Sequence, residues 1–160
     1  GIFHRYGEIA NARKLASRIV EQRKTRPFQT TTDLKEVADR CAERGREFKY
    51  EAQVFQALRI EVNNELPALT EFLEQSVAVL SPGGRLVVIS YHSLEDRLVK
   101  NFFRSGNFEG IQEKDFFGNV TAPLKMVTRR VVVPGAEEIE NNNRARSARL
   151  RVAEKTGQVK

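Results

Sequence analysis

The chain lacks most of the residues and motifs that assign a small protein to a well-known class. Its one cysteine, Cys41, excludes an internal disulfide and is typical of a reducing compartment. Two histidines are too few for a metal site built on histidine, so no metal is expected. No GxGxxG, GxxxxGK or CxxC pattern occurs, which excludes the common glycine-rich phosphate cradles and paired-cysteine sites from this sequence.

Long hydrophobic runs are also missing. No apolar stretch approaches the roughly 18 residues of a membrane-spanning helix, and charged residues among the first eight argue against a signal peptide. We therefore expect a cytoplasmic protein without a membrane partner. What is present is a globular composition, with 40% apolar and 30% charged residues, which is enough to build a core.

Positive charge is in excess over the whole chain. The net charge of +6 at pH 7 favours an acidic partner, and nucleic acid is the commonest one. A basic surface that is only solvated is the alternative, and both interpretations stay open on composition alone.

Helical periodicity dominates the first half of the chain. The spacing of apolar residues predicts helices over residues 9–23 and 33–42, and a run of threonines at Thr30 can cap the second. From residue 55 to residue 80, apolar residues recur every three or four positions, with Pro67 as an interruption. Because proline removes a backbone donor, either the helix kinks there or a new helix begins with Asn64 as its cap.

The second half alternates between strands and helices. The SPGG turn at residues 81–84 precedes a β-branched run over 85–91, which predicts a strand buried on both faces, as in parallel sheets. A helix follows from Ser93, and this order is typical of a doubly wound α/β sheet.

Two more strands are expected later in the chain, over residues 125–133 and 148–154. We expect them to pair antiparallel at one edge of the sheet. Residues 106–123 contain three glycines and no clear period, so they are predicted to form a loop. The predicted fold class is α/β.

The connection between the first predicted strand and its helix is the first candidate site. Residues 91–97 read YHSLEDR, and ligands of open α/β sheets bind outside the carboxyl ends of the strands. Ser93 with Asp96 resembles a capping box, which is the structural alternative to chemistry. His92 comes before that cap, where no stability rule calls for histidine, so it is a candidate to face a substrate. Arg97 can meet a phosphate or pair with a neighbouring carboxylate.

The second candidate site is a polar stretch before the last predicted strand. Residues 141–149 read NNNRARSAR, and arginine and asparagine suit phosphates and base edges respectively. The alternative is a loop whose arginines are only solvated. The side chains that we select as RNA contacts are Asn143, Arg144, Arg146 and Ser147, together with Arg97.

Three stretches resemble the bacterial small-subunit ribosomal RNA methyltransferase H family, also called the MraW type. They are VFQALRIEVNNEL at 54–66, LSPGGRLVVISYHSLEDRLVK at 80–100 and NRARSARLR at 143–151. The second stretch is long and specific. Looser similarity covers residues 6–8 and 30–34, and together these stretches span nearly the whole chain. Tyr91 stands where the family more often has phenylalanine, Asn142 or its neighbour replaces a usual proline, and Tyr50-Glu51 replaces a common His-Pro.

The resemblance implies the C-terminal part of a class I, Rossmann-like methyltransferase sheet. Residues 1–50 are then part of an inserted helical domain for substrate recognition, and 51–160 are the C-terminal half of the methyltransferase domain. The family's glycine-rich cofactor motif and its early acidic residue are missing from the chain. S-adenosylmethionine is therefore expected to bind the full-length parent only, and this chain is expected to hold no cofactor-binding residue.

The activity that the resemblance implies is N4-methylation of a cytidine in 16S ribosomal RNA by the parent protein. His92, Ser93, Glu95 and Asp96 would supply part of the catalytic pocket. The chain alone is expected to be inactive, and it could form a homodimer through a sheet edge left uncovered. The alternative function is a non-catalytic basic module that binds RNA or DNA.

Overall fold

A computed structural model describes residues 1–157, and they form two compact units. The first unit is Gly1–Glu65, which is entirely helical, and the second begins at Leu66 and contains all three strands. The helices of the first unit are α1 (Ile2–Arg5), α2 (Ala12–Thr25), α3 (Thr31–Asp39) and α4 (Glu47–Asn63). We predicted a boundary after residue 50, whereas α4 packs against α1 and α3 and so belongs to the first unit. The assignment of the units to an inserted domain and a methyltransferase half stays a prediction, and residues 158–160 of the latter lie outside the described chain.

The helical unit closes around one apolar cluster. Its buried members come from all parts of the unit, and they are Ile9, Leu15, Val37, Ala38, Cys41 and Val54. The start of α3 is held by a capping box, in which the Thr30 hydroxyl accepts from the Asp33 N–H at 3.2 Å and the Asp33 carboxylate accepts from the Thr30 N–H at 2.8 Å. The predicted threonine cap is therefore confirmed.

The long helical periodicity over residues 55–80 is divided at Asn64, whose backbone is left-handed. α4 ends at Asn63, and Asn64 has a φ of 54°, a conformation that asparagine tolerates better than most residues. α5 (Glu65–Val79) starts directly afterwards, with Pro67 in its first turn, where a missing N–H has no consequence. Of the two alternatives at Pro67, the second, a new helix after Asn64, is the one observed.

The second unit is built on a three-stranded antiparallel sheet. Its elements after α5 are β1 (Arg85–Ser90), α6 (Ser93–Ser105), β2 (Leu124–Met126), α7 (Ala136–Asn141), a 3-10 helix (Asn143–Ser147) and β3 (Arg149–Lys155). The strand order is β1-β3-β2, and both pairs are antiparallel. The α/β class and the antiparallel pairing of the last two strands are confirmed, although β3 lies in the middle of this sheet and not at its edge.

The expectation that β1 is buried on both faces is wrong for the described unit. Leu86 and Val88 pack against the core formed by α5, α6 and the sheet, whereas Val87 and Ile89 are 54% and 51% exposed. The β-branched run predicted a strand correctly, but alternate residues of a strand point to opposite faces. Only one of those faces meets the core of this unit.

The turn before β1 requires glycine at two consecutive positions, Gly83 and Gly84. Gly83 has a φ of 79°, and a Cβ at Gly84 would lie 2.8 Å from the Ser81 carbonyl oxygen. The Lys155 ammonium at the end of β3 donates to the carbonyls of Val77 and Leu80, which closes the C-terminal end of α5. The sheet and α5 are thereby joined at the end opposite to the β1–α6 connection.

Among residues 1–157, no helix combines the length and the apolar composition that crossing a membrane requires.

Candidate functional site

The connection between β1 and α6 is a capping box with an unusual first member. His92 is the N-cap of α6, and its Nδ1 accepts from the Glu95 N–H at 3.4 Å. The Glu95 carboxylate accepts in return from the N–H of Tyr91 at 2.9 Å and of His92 at 3.3 Å. Two backbone donors that would otherwise be unsatisfied at the helix start are thus bound by one side chain.

This geometry rules out the structural alternative in which Ser93 and Asp96 form the capping pair. The box lies one residue earlier, because His92 has the extended backbone of an N-cap, with φ −137° and ψ 164°, and Ser93 is already in the helix. Ser93 is exposed at the first helical position. The sequence did not indicate that His92 itself is the N-cap, because histidine is not among the residues preferred at that position.

Glu95 is the ionised member of this site. Burial acts to raise the pKa of its carboxyl, but contacts with the His92 ring and with the N–H groups of Tyr91 and His92 outweigh burial and lower the pKa to about 2. The Nε2 of His92 lies 3.3 Å from the Glu95 carboxylate, and the histidine side chain is 9% exposed. Because Nδ1 accepts from the Glu95 N–H, Nε2 is the ring nitrogen that can donate to the Glu95 carboxylate.

Asp96 has a different role from the one that its spacing predicted. It is buried on α6 and accepts two hydrogen bonds from Arg151 of β3, from Nε at 2.7 Å and from Nη2 at 3.0 Å. Arg149 adds a third contact at 3.4 Å. Burial acts to raise the pKa of Asp96, and the two guanidinium groups outweigh burial and lower it. This bidentate pair fixes the first turn of α6 to the sheet.

The second candidate stretch forms the 3-10 helix Asn143–Ser147, which we call the arginine turn. The Asn142 side chain accepts from the Arg144 N–H at 3.2 Å, and Ala145 is buried beneath the turn. All four side chains that we selected here are exposed, namely Asn143, Arg144, Arg146 and Ser147. The prediction of a polar loop is thus replaced by an ordered turn with its arginines towards solvent.

The sheet register brings the two candidate stretches together. Ser90, the last residue of β1, is paired with Arg149, the first residue of β3, and the Ser90 hydroxyl lies 3.4 Å from the Arg149 carbonyl oxygen. The arginine turn therefore ends beside the point where the His92 capping box begins. Arg97 is exposed on α6, and Asp96, one of its two anticipated partners, is bound by Arg149 and Arg151.

Arg149 and Arg151 connect the two stretches. Sequence reasoning included Arg149 in the second candidate stretch without this role, and it missed Arg151. A signal for Arg151 exists, because it shares a strand face with Ala153, which is fully buried. An arginine at an inward position of an alternating strand needs a carboxylate partner. That partner, Asp96, is 55 residues away, and no local pattern identifies it.

The described residues do not fit a cofactor of the S-adenosylmethionine type. Such sites use a glycine-rich connection that follows a strand and opens a helix. Among residues 1–157, β1 is the strand that leads directly into a helix, and its connection is Tyr91-His92, without glycine. The paired glycines of this unit precede β1 instead. We therefore derive no step through the cofactor from these residues.

Fold and site together define an α/β protein with a polar site at the carboxyl end of a strand. The chain matches the profile of the MraW methylase family over residues 1–156 and belongs to that family. Membership implies a class I methyltransferase fold.

Several relatives share more than half of the residues of this chain. It is 56% identical over 154 residues to the ribosomal RNA small subunit methyltransferase H of Parabacteroides distasonis, covering 96% of this chain and 50% of that protein. The protein of the same name from Cytophaga hutchinsonii is 58% identical over 150 residues, covering 94% of this chain and 50% of that protein. The chain thus spans about half the length of the relatives that it matches.

Proposed function

We propose that the complete protein containing this chain transfers a methyl group from S-adenosylmethionine to the exocyclic N4 of a cytidine in 16S ribosomal RNA. The support from relatives is their name, which specifies methylation of small-subunit ribosomal RNA. The choice of N4 of cytidine and of the methyl donor comes from the family resemblance. An activity on ribosomal RNA implies the cytoplasm, which is part of the same proposal.

One observation of this chain carries the proposal. The Ser90–Arg149 pairing joins a turn with ionised Glu95 to a turn with exposed Arg144 and Arg146. A nucleic-acid-modifying site needs both features, cations to hold phosphates and acceptors near the reacting base. In this arrangement the arginine turn and Arg97 bind the RNA backbone, and the β1–α6 connection faces the target nucleotide.

The chemistry requires positioning and charge more than proton transfer. The lone pair of an exocyclic amine is conjugated with the ring, so the base must leave its stack and be held in line with the methyl group. The exocyclic amine needs an acceptor beside it, and the methylated amine must lose one proton, which can pass to solvent. Glu95, which stays anionic because of its lowered pKa, would be the acceptor that orients the amine, and exposed Ser93 would contact the base.

His92 and Asp96 act as positioning residues in this scheme. The ring of His92 is nine-tenths buried in the capping box, and the oxygens of Asp96 are bound by Arg149 and Arg151. Each therefore holds a neighbour in place, His92 the Glu95 backbone and Asp96 the two arginines of β3. Of the four residues that we assigned to the catalytic pocket, Ser93 and Glu95 are therefore proposed to face the substrate, and His92 and Asp96 to hold their neighbours in place.

The methyl donor is proposed to bind outside the described residues. A chain of these 160 residues should then give no heat of binding when titrated with S-adenosylmethionine and should transfer no methyl group. Light scattering on the same sample tests whether the exposed face of β1 leads to a homodimer. Micromolar cofactor binding by a monomer would contradict the assignment of the cofactor site to another part of the protein.

The decisive experiment uses the complete natural protein. Small ribosomal subunits, or 16S ribosomal RNA lacking the modification, are incubated with isotope-labelled S-adenosylmethionine, and digested nucleosides are identified by mass spectrometry. Labelled N4-methylcytidine is the expected product. Label on another nucleoside would refute the N4 assignment, and RNA binding without any transfer would favour the alternative of a non-catalytic basic module.

A further inference from the structure

Residues 113–121 form a short β-hairpin in a region that the sequence predicted to be an irregular loop. Lys114 and Val120 are bridged antiparallel, and the Thr121 N–H donates to the Glu113 carbonyl at 2.8 Å. The Asp115 N–H donates to the Asn119 carbonyl at 2.9 Å. We call this segment the aromatic hairpin, because its tip consists of two phenylalanines.

The tip is held by one carboxylate. Asp115 accepts from the N–H of Phe117 at 2.9 Å, from the N–H of Asn119 at 2.8 Å and from the Asn119 side chain at 3.1 Å. These hydrogen bonds lower the pKa of Asp115, and the bond from the Asn119 side chain has the largest effect. Gly118 supplies the left-handed residue that the turn needs, with a φ of 85°. The tip therefore has a defined conformation.

Phe116 and Phe117 are presented to solvent by this tip. They are 99% and 85% exposed, and neither belongs to the apolar cores of the described residues. Their rings lie edge to face, with centroids 5.8 Å apart and planes at 88°. Two adjacent, fully exposed aromatic rings on an ordered turn leave π-faces open to a partner.

Two basic side chains lie at the base of the aromatic hairpin. A groove at the base of the aromatic hairpin is lined by Arg104 of α6 and Lys125 of β2, together with Gln112 and Val120. The Arg104 guanidinium donates to the Gly110 carbonyl at 3.1 Å, which holds it on this side of the unit. Lys114 of the hairpin is flanked by Glu113 and Asp115, and the oxygens of Asp115 are bound within the turn. Cations near exposed aromatic rings are the combination with which proteins bind single-stranded nucleic acid.

We propose that the aromatic hairpin stacks on unpaired bases of an RNA strand, while Arg104 and Lys125 neutralise its phosphates. The inference rests on the proposed function, because it assumes that the substrate is ribosomal RNA. A second copy of the chain fits less well. Two phenylalanines bury about 300–500 Å², whereas a stable protein interface buries about 800 Å² on each partner.

The test compares two double variants of the complete protein. Phe116→Leu with Phe117→Leu keeps apolar side chains but removes the rings, and Phe116→Tyr with Phe117→Tyr keeps the rings. The probe is a single-stranded RNA oligonucleotide with one 2-aminopurine, whose fluorescence falls when it stacks. The leucine variant should bind about 5- to 100-fold more weakly, with an unchanged salt dependence and without the fluorescence change. The tyrosine variant should bind like the unaltered protein.

The other outcomes separate the two hypotheses. If the unaltered protein methylates ribosomal RNA and the leucine variant binds the oligonucleotide equally well, the hairpin inference is wrong and the proposed function stands. If the leucine variant instead changes a dimer into a monomer, the tip contacts a second copy and the inference is also wrong. If the unaltered protein binds no RNA, both fail. A melting temperature for each variant confirms that the fold is intact, as expected for exposed positions.

Discussion

Two helices among residues 1–157, α3 and α6, start with a capping box, one in each compact unit, and they differ in the residue that caps. α3 begins with Thr30 and its carboxylate partner Asp33, whereas α6 begins with His92 and Glu95. In α3 all contacts come from residues 26–33, since Asp33 accepts from the Gln29 and Thr30 N–H groups and from Arg26. The pKa of Asp33 is lowered by the backbone donors of Gln29 and Thr30. The cap of α3 is therefore a local device for starting a helix.

The cap of α6 has features that helix stability does not explain. Histidine is not among the preferred N-caps, which are asparagine, aspartate, serine and threonine. The first turn of α6 is also fixed by the Asp96–Arg151 pair, which α3 does not have. A helix start with this additional anchor has less need of its cap. We infer that position 92 serves the site at the strand end, and the predictions below test this difference between the two helix starts.

The largest effect on stability is expected from the anchor. Asp96→Ala leaves Arg151 buried and unpaired, which should lower the free energy of unfolding by about 3–5 kcal/mol. Replacing both partners, as in Asp96→Leu with Arg151→Met, should recover most of that loss. Glu21→Ala, which breaks the exposed Arg18–Glu21 pair, is the control and should have no measurable effect. Denaturant titrations of the unaltered protein and these three variants compare the values, and a mild effect of Asp96→Ala would contradict the anchor.

The anchor also predicts a pH dependence. Because the pKa of Asp96 is lowered in the folded protein, its stabilising contribution is present above the ordinary aspartate pKa of about 3.9. The contribution disappears as the pH falls from there through the lowered pKa. The double variant without both charges should lose less stability over this window. If stability falls equally with pH in the unaltered protein and in the double variant, Asp96 does not titrate as described.

The next effect concerns RNA binding by the arginine turn. Arg144→Ala with Arg146→Ala removes two exposed cations, so the slope of log affinity against log salt should fall by about 1.5–2. Arg85→Ala is the matched control, since Arg85 lies at the opposite end of β1 and pairs with Glu154. An unchanged slope in the double variant would mean that these arginines are only solvated.

Local sequence rules predicted those parts of the structure that depend on neighbours in the chain. The threonine cap of α3, the break after Asn64 and the turn before β1 all follow from backbone preferences of residues within four positions. The residues 91–97 were located at the carboxyl end of a strand for the same reason.

Features that depend on distant residues could not be predicted in this way. A β-branched run has the same appearance whether one or both faces are covered, so the exposure of Val87 and Ile89 was missed. The partner of Asp96 comes from a strand 55 residues later. The shift of the capping box from Ser93 to His92 depends on the backbone angles of one residue, since both positions have a carboxylate three residues further on.

A smaller effect should separate the two caps directly. Thr30→Ala removes a preferred cap from a helix start that has no buried ion pair like Asp96–Arg151, and it should lower the free energy of unfolding by about 1 kcal/mol. His92→Ala should lower it by less, because Asp96 and Arg151 still hold α6. Thermal unfolding of the two variants measures the difference. A larger loss for His92→Ala would mean that the histidine is there for the helix.

The most direct measurement replaces His92 by a better cap in the complete protein. His92→Asn should leave the free energy of unfolding within about 0.5 kcal/mol of the unaltered protein, because asparagine is a preferred N-cap. It should lower kcat for methyl transfer to small-subunit ribosomal RNA by about 10- to 100-fold, with an unchanged KM for the RNA. Asparagine can bind the Glu95 N–H but lacks the ring Nε2 that lies 3.3 Å from the Glu95 carboxylate, so the carboxylate no longer aligns with the reacting amine. Full activity in His92→Asn would contradict the account, because it would show that position 92 only starts a helix.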